Sequence, residues 1–492
     1  MTEQTLKQKT AKGLFWGGIS NGAQQLLMAF FGLFLLRLLD PADYGMVGKI
    51  AIFSALAGVL QESGFTAALV NKKEVTDRDY NAVFWSNIGL SLFLYLLLFA
   101  CAPLIARFYE SPELTALCRY IFLGFLVSSL GIAQNAHMFR NLMVKEKAIS
   151  LMAGLVVSGT VGVAMAFGGY SYWALATQTI LNVLVVNLCY WHFSSWRPTF
   201  TFDLSPLRGM IGFSSKLLFT NIFSRINSNY LSVIIGKLYT NEEVGYFTQA
   251  DKWNYMGYSL VNGMIAGVAQ PVLASISDDR ERQRRTFRKM LRFTAFISFP
   301  AMLGLSFIAP EFVTVVLTDK WADSTVILQL LCIAGAFIPL NTLYSNLLIS
   351  KGRSDTYMWV TIAQGVLQMA TVLACYPYGI ITMITAYAAI NAGWLLVWHY
   401  FVWREIGLRL LSLLKDILPF ALAILGAMAV AWFLTRDIAN IYLLFIAKVA
   451  VSAALYLLVM WLSRAVTFHE SMTYLRSAFK KEKRKGSSQR HP

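Results

Sequence analysis

The chain has 492 residues and a formal net charge of +16, with 57% hydrophobic and only 14% charged residues. A water-soluble protein of this composition would need an implausibly large apolar core, so the composition predicts a protein whose solvent is lipid. The positive charge is spread over short loops and a tail. This distribution argues against nucleic acid as a partner and favours membrane lipids.

Long apolar segments follow one another along the whole chain, and each can cross about 30 Å of hydrocarbon as a helix. They lie at approximately 13–36, 45–70, 82–106, 114–138, 148–168, 172–193, 209–235, 244–275, 290–309, 324–349, 356–376, 379–402, 412–434 and 440–462. The first contains Asn21, Gln24 and Gln25 and lacks a small-residue cleavage site, which predicts a retained helix rather than a signal peptide. The predicted fold class is an all-α polytopic membrane protein with about 14 transmembrane helices.

Lys and Arg are distributed unevenly between alternate loops. If the N-terminus is cytoplasmic, 31 of the 42 basic residues lie in inside loops and termini and five lie outside. Basic residues accumulate on the cytoplasmic side of membrane proteins. The distribution therefore predicts that both termini are cytoplasmic.

Several residues recur about 200 positions later in the chain. Asn21, Asp43 and Gly45 correspond to Asn221, Glu243 and Gly245. Ordered matches of this kind are typical of an old duplication. Because six helices is an even number, they predict parallel six-helix repeats with a cavity between them. The predicted divisions are 1–200 and 201–405 for the two bundles, 406–463 for an appended helix pair and 464–492 for a basic cytoplasmic tail.

Arg225 lies near the middle of the seventh apolar segment, with Asn221 and Asn229 one helical turn to either side. A charge at bilayer depth costs about 3 kcal/mol on insertion scales and is usually retained beside a water-filled cavity or a partner. The pattern predicts an anion-binding residue in a transport cavity. A buried pairing with a carboxylate that locks two helices is the alternative. Lys216, about 12 Å nearer the cytoplasm, is a second candidate, or it snorkels to the interface.

The eighth segment also has a polar face, which includes Lys252, Tyr255 and Asn262. A charge, an aromatic ring and an amide on one face predict contacts with phosphate and sugar rings. The alternative is a helix contact held by polar residues. Lys49 lies near the repeat equivalent of Lys252, which predicts a second cation near the outer mouth or a lysine that snorkels to the surface.

Asp251 and Glu62 are the carboxylates best placed inside the apolar segments. Either can exchange a proton or coordinate sodium during transport, or can neutralise a neighbouring cation. The string GMVGKI at 45–50 lacks the spacing of a phosphate-binding loop, so no ATP hydrolysis is expected. The five cysteines lie in apolar segments without metal spacing, so neither a disulfide scaffold nor a metal site is expected.

Three strings carry a resemblance to a known family: RLLDPADYG at 37–45, ESGFTAALV at 62–70 and AVFWSN at 82–87. With these strings, the helix count and the duplication, the chain resembles the Wzx-type polysaccharide flippases of the MOP superfamily, in the branch that includes colanic acid exporters. The resemblance covers essentially the whole chain. It implies a MATE-like fold and no enzymatic activity.

The resemblance also implies a function. It implies transport of an undecaprenyl-pyrophosphate-linked oligosaccharide across the bacterial inner membrane by alternating access, coupled to a proton or sodium gradient without another cofactor. Glycosyltransferases and a polysaccharide polymerase are the partners implied by this role. A lipid II flippase is an alternative, disfavoured by Gln24 and Gln25 where that branch leads us to expect arginines. A drug or cation antiporter and a membrane polymerase are the others. They are disfavoured by the basic deep charges and by the short outer loops.

Overall fold

The computed structural model describes residues 23–62, 69, 75–141, 143–207, 218, 222, 225–227, 229–464 and 468–469. Every regular element in these ranges is helical. The labelled helices are α1 (Ala23–Leu38), α2 (Pro41–Glu62), α3 (Asp77–Phe108), α4 (Leu114–Ser129), α5 (Ile132–Arg140), α6 (Val144–Phe167), α7 (Tyr172–Phe193), α8 (Asn241–Ala274), α9 (Arg280–Phe312), α10 (Ser324–Ser350), α11 (Ser354–Cys375), α12 (Ile380–Ile406), α13 (Leu410–Thr435) and α14 (Ile441–Leu462).

The described residues contain ten helices that are long and apolar enough to cross a membrane. The helices α4 and α5, bent by 43° at a short break, form an eleventh candidate span. The predicted all-α polytopic class is therefore confirmed. Predicted segments one and seven fall partly outside the described residues, and the polar residues of α8 keep that helix out of the apolar group, so the count of fourteen stays a prediction.

The helices α2 and α8 begin with the same hydrogen-bond pattern. The backbone N–H of Asp40 donates to the Asp43 carboxylate at 3.0 Å, and the backbone N–H of Thr240 donates to the Glu243 carboxylate at 3.0 Å. A carboxylate three residues into a helix satisfies a backbone donor that has no partner within the helix. Pro41 supports the first start, because its fixed φ suits the first helical position.

The chain separates into two compact units, Met1–Thr248 and Gln249–Pro492. The division falls inside α8 rather than at the predicted boundary near residue 200. One reason is that the first turns of α8 pack directly on the first turns of α2, where a Cβ added to Gly45 would lie 1.8 Å from the carbonyl oxygen of Asn241. Compactness and duplication are different properties, so the predicted repeat boundaries stay a prediction.

The first unit has a buried core at the predicted outer ends of α2, α3 and α4. Ile50, Ala102, Leu117 and Phe122 belong to it and are almost fully buried. Small residues on α3 allow its neighbours to approach closely, while the larger side chains fill the remaining volume. This core holds the outer ends of the three helices together.

Two ion pairs attach the appended helices to α9 in the second unit. The Asp416 carboxylate on α13 accepts from the Arg288 guanidinium at 2.6 Å and 3.0 Å. The Lys448 amine on α14 lies 2.5 Å from a Glu311 carboxylate oxygen, and both side chains are at most 10% exposed. The pairs lie near opposite ends of α9, so α13 and α14 are fastened to that helix at two depths.

Removing one partner of the Lys448–Glu311 pair is expected to destabilise the protein strongly. Lys448→Met leaves the Glu311 carboxylate buried without its cation, which costs about 3 to 5 kcal/mol, whereas Lys448→Met combined with Glu311→Gln should recover most of the loss. Thermal unfolding of the purified protein in detergent measures the difference. Equal stability of the single and double variants would contradict the coupling.

Candidate functional site

Arg225 is exposed, on a short described helical stretch. The Asn229 side-chain amide donates to the Arg225 carbonyl oxygen at 2.8 Å, one turn further along the helix. An exposed guanidinium on a predicted membrane segment requires water or an anion beside it, because acyl chains do not solvate it. Asn221 and Lys216, also predicted for this site, lie outside the described residues.

Lys49 is buried against the first unit rather than open. Its amine lies 5.7 Å from the centre of the Tyr109 ring, and its side chain packs beside Gly236. The Lys237 amine, next in the chain, binds the Glu110 carboxylate at 2.6 Å. These residues form one cluster at the predicted outer end of the unit, where Lys49 contributes to packing.

Glu110 is exposed at that end, after the last turn of α3. The hydrogen bond and the positive charge of Lys237 lower the pKa of the Glu110 carboxyl. Glu110 is therefore ionised at neutral pH, and the link between the end of α3 and the segment before α8 is present under physiological conditions. An exposed pair of this kind contributes little to stability.

The exposed face of α8 carries several predicted site residues. Lys252 and Asp251 are exposed, and Tyr255 is 59% exposed with its ring edge-on to Tyr258 at 5.5 Å. Asn262 is half-buried, and its side-chain carbonyl oxygen has no hydrogen-bond partner among the described residues. The face thus combines a cation, a carboxylate, an aromatic plate and an amide, which is chemistry suited to sugars and phosphates.

Asp251 has polar neighbours on two helices. Asn254 and Tyr258 on the same helix and Tyr387 on α12 lie near its carboxylate. No Lys or Arg forms an ion pair with Asp251 within the described part of the chain. Asp251 thus lies near neutral polar groups, and its predicted role in coupling stays a prediction.

Three side-chain amides near Tyr387 connect α12 with α10 and α11. The Asn391 amide donates to the Tyr387 carbonyl oxygen at 3.0 Å, and the Asn341 amide donates to the Asn391 carbonyl oxygen at 3.2 Å. The Gln364 amide lies 3.4 Å from the Asn391 side-chain oxygen. None of these four was a predicted site residue. The available signal was the presence of amides inside apolar segments, which are rarely left unpaired in a membrane.

Glu62 ends α2, but its side chain lies outside the described part of the structure, so its predicted role in coupling stays a prediction. No group of three or more His, Cys, Asp or Glu side chains lies close enough to hold a metal ion among the described residues.

Comparison with known proteins identifies related sequences. A protein-family model described as a polysaccharide biosynthesis protein matches residues 34–326, more than half of the 492 residues. The chain is 27% identical over 362 residues to the lipopolysaccharide biosynthesis protein WzxC of Escherichia coli strain K12, covering 71% of this chain and 72% of that protein. It is 24% identical over 434 residues to the teichuronic acid biosynthesis protein TuaB of Bacillus subtilis strain 168, covering 86% and 89%.

Solved structures share the fold. The lipid II flippase MurJ in an inward closed conformation matches with a TM-score of 0.71 at 17% identity, over 92% of this chain and 99% of that chain. An inward-facing multidrug resistance MATE transporter of the MOP superfamily matches with a TM-score of 0.61 at 18% identity, over 80% and 96%. These likenesses confirm the predicted MATE-like fold and, at such identities, carry nothing about the cargo.

Proposed function

We infer the function of this chain from the family to which it belongs, the polysaccharide biosynthesis proteins of the Wzx-like flippase type within the MOP superfamily. These proteins are transporters rather than enzymes. The proposed cargo is an oligosaccharide repeat unit linked to undecaprenyl pyrophosphate. The protein moves it from the inner to the outer leaflet of the bacterial inner membrane by alternating access, with both termini in the cytoplasm.

The exposed side chain of Arg225 is the observation that carries this proposal. A diphosphate headgroup bears at least two negative charges and cannot cross hydrocarbon unaccompanied. A guanidinium offers it paired donors and a permanent charge, whose cost at membrane depth is offset when the anion binds. Other side chains are also proposed to contribute to cargo binding: Lys252, Asn229, Tyr255, Asn262 and Lys49. Lys216 and Asn221, which lie outside the described residues, are proposed contributors as well.

Loss of the protein distinguishes a flippase from a biosynthetic enzyme. Deletion of the gene in its own host should abolish surface polysaccharide while intact lipid-linked repeat units accumulate, inaccessible to a periplasmic glycosidase until the membrane is permeabilised. The glycosyltransferases that make the lipid-linked unit and the polymerase that consumes it remain present in the deletion strain. Absence of the lipid-linked unit after deletion would instead indicate a role in its synthesis and contradict the proposal.

Coupling to an ion gradient is proposed to act through Asp251. Asp251→Asn keeps the shape of the side chain but cannot gain or lose a proton or pair with sodium, so the response to a gradient should fall by about tenfold or more. Transport of an undecaprenyl-pyrophosphate-linked sugar into proteoliposomes, under an imposed pH or sodium gradient, measures it. Asp355→Asn in the first turn of α11 is the matched control. An unchanged response in Asp251→Asn would remove this carboxylate from the coupling mechanism.

A further inference from the structure

The segment that follows α7 crosses the first turns of α3 without forming a helix or a strand, and it bends at Phe200. Thr199, Thr201 and Asp203 contact α3 through their side chains or backbone. Phe200, Phe202 and Leu204 are 85%, 69% and 49% exposed. Residues 199–204 are called the strap below.

Polar contacts hold the strap against α3. The Asn81 side chain accepts from the Thr199 backbone N–H at 2.9 Å and donates to the Thr201 hydroxyl at 2.8 Å. The Trp85 indole N–H donates to the Thr199 carbonyl oxygen at 2.8 Å. Each of these contacts satisfies strap backbone or hydroxyl groups that have no strand partner. The strap is thereby fixed in one orientation against α3.

A charged contact closes the end of the strap. Arg78 forms an ion pair with the Asp203 carboxylate. Hydrogen bonds from Ser205, followed by the one from Arg78, lower the pKa of Asp203 to about 2. A carboxyl whose pKa is lowered stays ionised above that value, so this contact persists across the physiological pH range.

Two aromatic side chains of the strap lie beside an aromatic side chain of α3. The Trp85 ring centre lies 4.6 Å from that of Phe202 and 5.8 Å from that of Phe200, so the three rings form one cluster. Phe200 and Phe202 are exposed, whereas Trp85 is half-buried. Single exposed apolar residues are normal on protein surfaces, but neighbouring exposed rings mark a candidate interaction surface. The polar contacts with α3 hold the strap in a position in which the Phe200 and Phe202 rings are exposed.

The cluster continues a stripe of exposed apolar residues along α3. Trp85 is followed on the same helical face by Leu92, Leu96 and Phe99, which are 48%, 57% and 38% exposed. Apolar side chains exposed along a membrane-spanning helix face acyl chains. The rings therefore lie where this lipid-facing surface reaches the end of the helix. Arg197 is exposed at the same end and suits anionic headgroups.

We propose that the strap is a membrane-interface anchor whose Phe200 and Phe202 rings insert among phospholipid headgroups, beside Trp85, at the predicted cytoplasmic end of α3. Aromatic rings favour this depth because they combine apolar area with polarisable faces. The strap lies between the last helix of the first predicted repeat and the segment that carries Arg225. The anchor thus holds the connection between the predicted repeats at the membrane surface, a property beyond the transport function itself.

Photo-crosslinking tests the occupant of this surface directly. The purified full chain carries p-benzoyl-phenylalanine in place of Phe200 or Phe202, in nanodiscs of phosphatidylethanolamine and phosphatidylglycerol. After irradiation, mass spectrometry should find adducts of one phospholipid mass at both positions. The yield should be comparable to that with the same residue at Leu96 on the lipid-facing stripe.

The buried Phe122, replaced in the same way, is the matched negative control, and its adduct yield should be at least about fivefold lower because lipid does not reach it. Unchanged size-exclusion elution establishes that each variant is folded. Crosslinks from positions 200 and 202 to a second copy of the chain would identify a protein interface and overturn the proposal. Absence of adducts at both positions, while Leu96 gives them, would show a water-exposed strap and overturn it equally.

Discussion

Replacing Gly45 with alanine is expected to destabilise the first compact unit by about 2 to 3 kcal/mol, because the added methyl group overpacks a helix contact that cannot yield. The new Cβ would lie 1.8 Å from the carbonyl oxygen of Asn241. Backbone atoms in a hydrogen-bonded helix start do not move aside as a flexible side chain does. The start of α8 must therefore separate from that of α2, and we expect surface polysaccharide to be lost with it.

The reciprocal contact makes this prediction sharper. A Cβ added to Gly245 would lie 1.9 Å from the carbonyl oxygen of Pro41. Gly45 meets residue 241 and Gly245 meets residue 41, so the two contacts exchange under a shift of 200. Reciprocal contacts of this kind arise where two equivalent elements pack about a twofold axis. Gly245→Ala is therefore expected to match Gly45→Ala in size of effect.

Thermal unfolding in detergent, together with surface polysaccharide in complemented cells, measures both variants. Gly58 is the matched control in α2 and Gly263 is the matched control in α8, because a Cβ at either meets no described atom within 4 Å. Alanine at these two positions should leave stability unchanged or slightly raised, since alanine is the better helix former. If Gly45→Ala behaves like Gly58→Ala, the close packing of the two helix starts is wrong.

Arg225→Ala is expected to abolish surface polysaccharide while the protein still inserts at its normal level. Without the guanidinium, a diphosphate headgroup has lost its permanent cation on this segment, and a loss of about 2 to 3 kcal/mol in binding corresponds to roughly a hundredfold in affinity. Arg225→Lys keeps the charge but not the paired donors, so partial activity is expected.

Surface polysaccharide and membrane protein level, measured in the same complemented cells, separate loss of function from loss of protein. Arg119→Ala is the matched control, because Arg119 is also an arginine of a predicted span but its guanidinium stacks 4.2 Å from the centre of the Phe99 ring. That variant should retain export. Normal polysaccharide in Arg225→Ala would count against a role for this residue in holding the cargo.

Properties that depend on local composition were predictable from the amino-acid sequence. The apolar length of each segment determined the candidate spans, because roughly 20 apolar residues suffice to cross the hydrocarbon layer as a helix. The predicted segment 45–70 contains most of α2, but the helix begins four residues earlier, at Pro41, where the Asp40 backbone N–H donates to the Asp43 carboxylate. The strings at 37–45, 62–70 and 82–87 also indicated the family, because they are read without knowing their neighbours in space.

Properties that depend on what a side chain meets were decided by tertiary structure. Lys49 and Lys252 are both lysines within long helices, yet one packs beside Tyr109 and the other is exposed. The Asn341 amide donates to the Asn391 carbonyl oxygen across a separation of 50 residues in the sequence. Helical periodicity shows which residues share a face, but it does not show which neighbour covers that face. Burial, pairing and the direction of the strap therefore emerge only when the helices pack.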